Sequence, residues 1–221
     1  MSRSAAAIRE MYDALLSRFG PQHWWPGQTP AEIMIGAILT QNTNWRNVER
    51  AIANLRARGL LDLARLHETP VDVLAELIRP AGYYNIKARR LMNLVDHICS
   101  RYDCDLDAFF GKSLHALREE LLSITGIGPE TADSIALYAA GKPTFVVDAY
   151  TARILRRHFL IDETADYEQI KELFESALPA DVPLYNEYHA LLVACGKDYC
   201  RPRALCENCP LNPFDHDGSI R

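Results

Sequence analysis

The chain has 221 residues, 48% of them hydrophobic, and a formal net charge of −5. That length supports one substantial domain or two small ones, and no apolar run approaches the roughly 20 residues that cross a bilayer. The acidic balance excludes a globally basic nucleic-acid binder, yet phosphate recognition needs only a local basic face. Three such faces are present: Lys87, Arg89 and Arg90; Arg153, Arg156 and Arg157; Lys197, Arg201 and Arg203. Taken singly, each of these charges reads first as solvated helix surface.

The N-terminal stretch MSRSAAAIREMYDALL reads as an amphipathic helix, interrupted for any signal peptide by Arg9 and Glu10, so a cytoplasmic protein is expected. A loop carrying Trp24, Trp25 and Pro26 follows. Thr29 before Pro30, with Glu32 three residues on, predicts a capping box with proline at the first helical position. Ile33, Ile35, Ile38 and Leu39 form one apolar segment, and Val48, Ile52 and Leu55 recur at helix spacing in the next. Thr69-Pro70 with Asp72 predicts a weaker start of the same kind, leading into Val71, Leu74, Leu77 and Ile78. Ala88, Leu91, Leu94 and Val95 continue the helical period. Breaks fall at Phe19-Gly20-Pro21, Arg58-Gly59, Pro80-Ala81-Gly82 and Gly141-Lys142-Pro143. The result is an all-α chain of roughly ten short helices, with no hairpin of alternating strands and no solenoid repeat. Only Thr144 to Val147 reads as extended, and the tail after Cys209 reads as irregular.

The segment Leu122 to Asp148 carries the chemistry. Gly126-Ile127-Gly128 opens a helix near Pro129, with Thr131 and Ala132 small enough for close helix packing. Glycines allow the tight turn and let backbone approach a ligand. The helix start presents unpaired N–H groups and a positive dipole end, which together suit a phosphate. For the two glycines alone, a plain helix corner is the simpler reading. Asp148, about twenty residues on, follows the apolar run Phe145-Val146-Val147 and can cap the helix after it.

These residues resemble the helix-hairpin-helix, Gly/Pro-rich loop and aspartate of the endonuclease III superfamily of DNA glycosylases. Leu39-Thr40-Gln41-Asn42-Thr43 and the segment Ile78 to Ala88 are similar to further parts of that family, and the resemblance runs from about residue 10 to 210. It implies a two-subdomain all-α protein: a central barrel over 27–138 with the hairpin, and a second module from 1–26 and 139–221 with a cysteine loop. A cleft between them would take duplex DNA with a damaged base, bound by a monomer.

By the same resemblance Asp148 is the catalytic carboxylate, a role that suits the positive sugar formed as a glycosidic bond breaks. Lyase members carry a lysine two residues after the second hairpin glycine; here that residue is Glu130, which cannot form an imine. The expected reaction is therefore hydrolysis alone, although Lys142 is a conceivable substitute. Trp24, Trp25 and Trp45 are the chain's three tryptophans. They read first as core, but a flipped base needs a pocket, and electron-rich faces favour a cationic base. The bacterial 3-methyladenine glycosylases resemble this chain in the Trp-Trp-Pro loop and in the glutamate at the lysine position. Those tryptophans and Glu130 are thus pocket candidates for an alkylated purine. Gln41 and Asn42 would fill the gap left by the flipped base or cap the next helix. Gly126, Gly128 and Thr131 are further candidate DNA contacts.

Cys195, Cys200, Cys206 and Cys209 crowd into fifteen residues, whereas Cys99 and Cys104 stand apart. A dense cluster in a cytosolic protein points to metal before disulfide. The family's C-terminal loop holds a [4Fe-4S] centre on four cysteines. Cys200, Cys206 and Cys209 match three, with one gap a residue shorter; the fourth is missing near Asp215-His216, and Cys195 is its candidate replacement. Zinc with His216 available, or no metal at all, are the competing readings. The loop would set Lys197, Arg201 and Arg203 against DNA phosphates. Two other functions stay open: a bifunctional oxidised-pyrimidine glycosylase/lyase, and a non-catalytic DNA-structure binder of the same fold.

Overall fold

The computed structural model describes residues 3–220. Among them every regular element is helical, and none is long and apolar enough to cross a membrane. The chain divides into two compact units: Trp25–Lys142, and the residues up to Trp24 together with those from Pro143 onward.

The middle unit begins with α2 (Pro30–Leu39), α3 (Trp45–Ala57), α4 (Leu63–His67) and α5 (Val71–Leu77). It continues with α6 (Tyr84–Tyr102), α7 (Leu106–Phe110), α8 (Leu114–Ser123) and α9 (Pro129–Ser134). Helix α2 is buried on nearly every side, which is why its sequence is apolar throughout rather than striped. Met34, Ile35, Ile38 and Leu39 pack with Val48, Ile52 and Leu55 of α3 and Leu91, Leu94 and Val95 of α6 in one core. Side-chain caps set most starts: Thr29, Asn44, Asp62, Asp105 and Ser113 each accept a backbone N–H of the following turn.

Two predicted starts differ from the structure. Thr29 caps α2 as expected, but the Glu32 carboxylate does not return to Thr29; it takes Arg56 Nη2 at 2.6 Å and the Gln28 N–H at 3.4 Å. A buried carboxylate gains more from a cation on α3 than from closing the box. Before α5 the cap position is Pro70, without a side-chain bond, and Thr69 Oγ1 donates backwards to Arg65 O. The two cysteines that stand apart in sequence are joined, Cys99 to Cys104. Left-handed backbone at Asp103 and Cys104 folds the chain back on the end of α6 and brings the thiols together.

The other unit comprises α1 (Arg3–Phe19), α10 (Ala149–Arg157), α11 (Tyr167–Ala177) and α12 (Val182–Asp198). The segment Thr144–Val147 is buried but forms no strand. Glu175 of α11 binds it instead, accepting from Thr144 Oγ1 at 3.2 Å and Phe145 N at 2.9 Å. Phe145 stacks on Phe174 at 3.9 Å between ring centroids, and Tyr188 of α12 donates to Ile8 O of α1 at 2.7 Å.

One polar cluster in the middle unit makes stability depend on pH. Glu120 of α8 accepts Tyr102 Oη at 2.7 Å and faces His97 Nε2 at 2.7 Å, with Lys112 Nζ also bonded to it. Burial opposes its charge, but hydrogen bonds from Lys112, His97 and Tyr102 outweigh burial and hold its pKa down to about 2. A carboxylate with a depressed folded pKa stabilises the fold above its ordinary value of 4.5, and that contribution is lost as pH falls from there toward 2. Glu120→Gln is expected to cost roughly 2 kcal/mol at pH 7, with the gap to the parent closing in acid. Urea melts at pH 7 and pH 2.5 check this; equal midpoints at pH 7 contradict it.

Candidate active site

Helix α8 ends at Ser123, and Ile124 and Ile127 anchor the following turn in the core. Gly126 has φ +100, and a Cβ there would lie 2.3 Å from Cγ of Arg90. Backbone strain and packing both demand glycine at this position. Gly128 differs: its φ of −97 and ψ of 179 suit any residue, and a Cβ would meet nothing within 4 Å. No intramolecular packing requires that second glycine. An ion pair sets the angle between the flanking helices: Arg118 Nε and Nη2 on α8 reach Asp133 of α9 at 2.8 and 3.2 Å, and Asp133 is 0% exposed. Helix α9 runs on into a wider π turn at Ile135–Ala139.

The predicted contacts Gln41 and Thr131 meet each other. Gln41 Nε2 donates to Thr131 Oγ1 at 3.0 Å and to Gly126 O at 3.2 Å, and Arg90 Nη1 donates to Gln41 Oε1 at 2.5 Å. Thr131 is buried and Gln41 partly so. Both therefore brace the hairpin from within. Asn42 is exposed with left-handed φ of 52. Neither Gln41 nor Asn42 caps α3; Asn44 does, accepting Asn47 N at 3.1 Å. Arg90 escaped the sequence reading beyond its place in a basic run, because its packing on Gly126 is long-range.

Trp25 and Trp45 pack edge to face at 5.0 Å between centroids. Tyr138, which sequence reasoning missed, adds a third ring 4.9 Å from Trp25. It rides on the π turn, an irregularity common at functional sites that no local residue signal announces. Trp45 Nε1 donates to Glu49 at 3.0 Å. Gly36 of α2 lies under this corner, where a Cβ would make ordinary contact with Trp25 at 3.4 Å and Trp45 at 3.7 Å. Glu130 is exposed in the first turn of α9, where the helix dipole favours an anion. Trp24 belongs to the other unit, where Lys197 Nζ lies 5.7 Å from its ring centroid.

Asp148 caps α10. Its Oδ1 accepts Thr151 N at 2.8 Å and Thr151 Oγ1 at 2.9 Å. Its side chain is 14% exposed, and Oδ2 faces His189 Nε2 of α12 at 3.8 Å. Burial drives His189 toward the neutral form, against the pull of Asp148 and with a further push from Lys197. His189 was not among the predicted residues; it sits in the apolar run of α12, where sequence offers no reason to single it out.

The four clustered cysteines line one cavity in this unit, together with Arg157 and His216. Cys195 Sγ and Cys209 Sγ lie 3.9 Å apart. Among the described residues, no three thiols, imidazoles or carboxylates already converge as a ligand set. The donor chemistry nonetheless fits a thiolate-bound iron–sulfur group. Arg157, 2% exposed, donates from Nη1 to Cys200 Sγ at 3.2 Å and to Arg201 O at 2.6 Å. It also reaches Pro202 O at 3.0 Å and Ile220 O at 2.7 Å. One buried cation thus ties the loop to the C-terminal segment. Arg201 Nε turns back to Lys197 O at 2.8 Å, and Arg203 is exposed.

A hairpin braced between two helices, followed by a Gly-Lys-Pro loop and a helix-capping aspartate, is the arrangement that the resemblance to the DNA glycosylases leads one to expect. The chain belongs to the HhH-GPD superfamily of base excision DNA repair proteins, whose family model matches residues 35–180. It is 51% identical over 208 residues, 94% of each chain, to a protein of Methanocaldococcus jannaschii described as a "putative DNA repair glycosylase". It is 28% identical to an endonuclease III of Sulfolobus acidocaldarius, over 82% of this chain and 79% of that one. Among solved structures, the 3-methyladenine DNA glycosylase of H. pylori bound to 1,N6-ethenoadenine aligns with TM-score 0.74 and 29% identity, covering 88% and 97% of the two chains. An endonuclease III–DNA complex shares the fold at TM-score 0.80 and 20% identity, over 97% and 96%.

The two hairpin glycines separate in a stability experiment. Gly126→Ala is expected to cost about 1–3 kcal/mol, through positive φ and the clash with Arg90. Gly128→Ala stays within about 0.5 kcal/mol of the parent. Chemical denaturation of both variants checks this, and equal losses would contradict the packing argument.

Proposed function

We propose that this glycosylase is monofunctional: it hydrolyses the N-glycosidic bond of a damaged base, with an alkylated purine as substrate, and forms no Schiff base. Glu130 carries the reading. It stands where a lyase needs an amine, and a carboxylate cannot attack a sugar carbon to give an imine. Asp148 acts on the sugar. Thr151 occupies Oδ1 with two hydrogen bonds, and Oδ2, which faces His189 at 3.8 Å, is the oxygen that would serve the reaction. As the base departs, positive charge grows on the sugar, and a carboxylate at that place stabilises it and takes a proton from the attacking water.

Trp25, Trp45 and Tyr138 supply three rings on which an extruded base can stack. Their electron-rich faces, with the carboxylate of Glu130, favour a cationic base. An alkylated purine carrying positive charge also leaves as a neutral molecule, so it needs little acid assistance. The likeness to the H. pylori enzyme bound to ethenoadenine supports this choice. DNA phosphates would meet the backbone at Gly126 and the open face of Gly128, with Lys197, Arg201 and Arg203 contributing sequence-independent attraction. Asn42, exposed and left-handed, is the residue available to fill the gap left by the base, and Gln41 holds the loop beneath it. The protein would act on double-stranded DNA as a monomer.

A [4Fe-4S] cluster would be held by Cys195, Cys200, Cys206 and Cys209 and would serve structure, stiffening the loop beside α12. Arg157 supplies the positive charge that a thiolate at Cys200 requires.

Asp148→Asn is expected to abolish base release from alkylated duplex DNA while leaving duplex affinity intact; undiminished release would remove Asp148 from the mechanism. Borohydride treatment during turnover is expected to give no protein–DNA adduct, and a trapped adduct refutes the monofunctional reading. Across duplexes carrying alkylated purines, ethenoadenine, oxidised pyrimidines, or uracil or thymine opposite guanine, the alkylated purines should be released fastest. Release of the pyrimidines alone would overturn the substrate assignment. Anaerobically purified protein should be brown, and Cys195→Ala should lose most of its iron and visible absorbance. Colourless, iron-free parent protein would rule the cluster out.

A further inference from the structure

Helix α12 places one imidazole among apolar neighbours: Tyr188, Ala190, Leu191 and Leu192 surround His189 in sequence and are all buried. Burying a polar ring in such a run costs free energy unless the ring has a partner to justify it. His189 is 5% exposed, and its Nε2 points at Oδ2 of Asp148 from 3.8 Å. That distance exceeds a direct hydrogen bond, but a small rotation of either group, or a single water, closes it. Catalytic hydrogen bonds are commonly long before substrate arrives.

The two oxygens of Asp148 have different surroundings. Thr151 occupies Oδ1 through its N–H and hydroxyl; the two oxygens of a planar carboxylate turn together, so a donor at Oδ2 adds a second restraint on that turn. We propose that His189 is the positioning residue of the catalytic carboxylate, donating from Nε2 toward Oδ2 and holding that oxygen in the orientation that water attack requires. The inference rests on the reading of Asp148 as the catalytic group. A neutral donor suits this task better than a cation. An imidazolium would neutralise the carboxylate and weaken it as a base, whereas a neutral N–H orients it and leaves its charge available to the sugar. The carboxylate in turn selects the tautomer with its proton on Nε2. Charged groups acting on the ring include Asp148 and, farther along the same helix, Lys197.

The test compares His189→Phe, which fills the space without a donor, with His189→Gln, whose amide places an N–H near the same point. Single-turnover base release and the Kd for the same lesion duplex are measured for each. Phenylalanine is expected to slow release roughly 100-fold, the scale of a misplaced catalytic group, with Kd unchanged, and glutamine should recover most of that loss. Wild-type release by the phenylalanine variant, or equal losses in both variants, overturns the inference. Independently of how the variants fold, ¹⁵N shifts of the His189 ring in the parent protein should place its proton on Nε2; a proton on Nδ1 also overturns it. Asp148→Asn measured in parallel separates the two readings. If it releases base normally, the assignment of Asp148 has failed. If it is inactive while His189→Phe is not, only the role of His189 has failed.

Discussion

The two hydrogen bonds that Thr151 makes to Oδ1 of Asp148 are the constraint around which the C-terminal unit is arranged. One satisfies an orphan backbone N–H at the start of α10 and the other comes from the Thr151 hydroxyl, so the carboxylate is fixed by the same contact that starts the helix. A group held this way has little conformational freedom left to lose. Everything upstream presents it: Phe145 stacks on Phe174, Glu175 takes the N–H of Phe145, and the buried run to Val147 delivers the chain to the cap. Downstream, α10 carries Arg157, which reaches the cysteine loop and the C-terminal segment. Capping, core packing and loop anchorage are thus successive consequences of one short stretch of chain.

The middle unit solves a different problem, which is to keep a backbone turn rigid and accessible. Its rigidity comes from side chains that would be mistaken for ligand contacts in isolation. Gln41 ties the loop after α2 to Gly126 and Thr131, Arg90 fixes the other side of the Gln41 amide, and Arg118 with Asp133 locks α8 to α9. A buried bidentate pair contributes little net stability against an apolar substitute, but removing either partner alone would strand a charge. Its worth lies in the single helix–helix angle it permits. Accessibility comes from the exposed Gly128, where an added Cβ would meet nothing within 4 Å.

The cysteine loop shows how a cation can organise thiols. Arg157 binds Cys200 Sγ and two loop carbonyls, while Cys195 and Cys209 share a contact in which the hydrogen bond with Cys209, and then burial, push the Cys195 thiol up. Cys209, accepting that hydrogen bond, is pulled down to about 7. The polypeptide therefore lines one cavity with four soft donors, although among the described residues no three of them converge as a ligand set.

Much of this was legible in the residues. Helical periodicity, the caps at Thr29 and Asp148, the glycine turn at 126–128 and the glutamate at 130 are local signals, because caps, turns and amphipathic stripes are decided within one or two helical turns. Gly126 and Asp148 could be read for the same reason that they matter: each imposes a backbone conformation on its immediate neighbours. The partners of those residues were not legible. Tyr138 joins the tryptophans, Arg90 packs on Gly126, His189 faces Asp148, Cys99 bonds Cys104 and Arg157 gathers the loop. Most of these depend on residues tens of positions apart. The sequence by itself determined the all-helical fold, the hairpin and the exclusion of an amine at position 130. Only tertiary packing decided which side chains brace the hairpin, which rings form the aromatic corner and which imidazole meets the carboxylate, since such contacts exist only once distant helices have closed on one another.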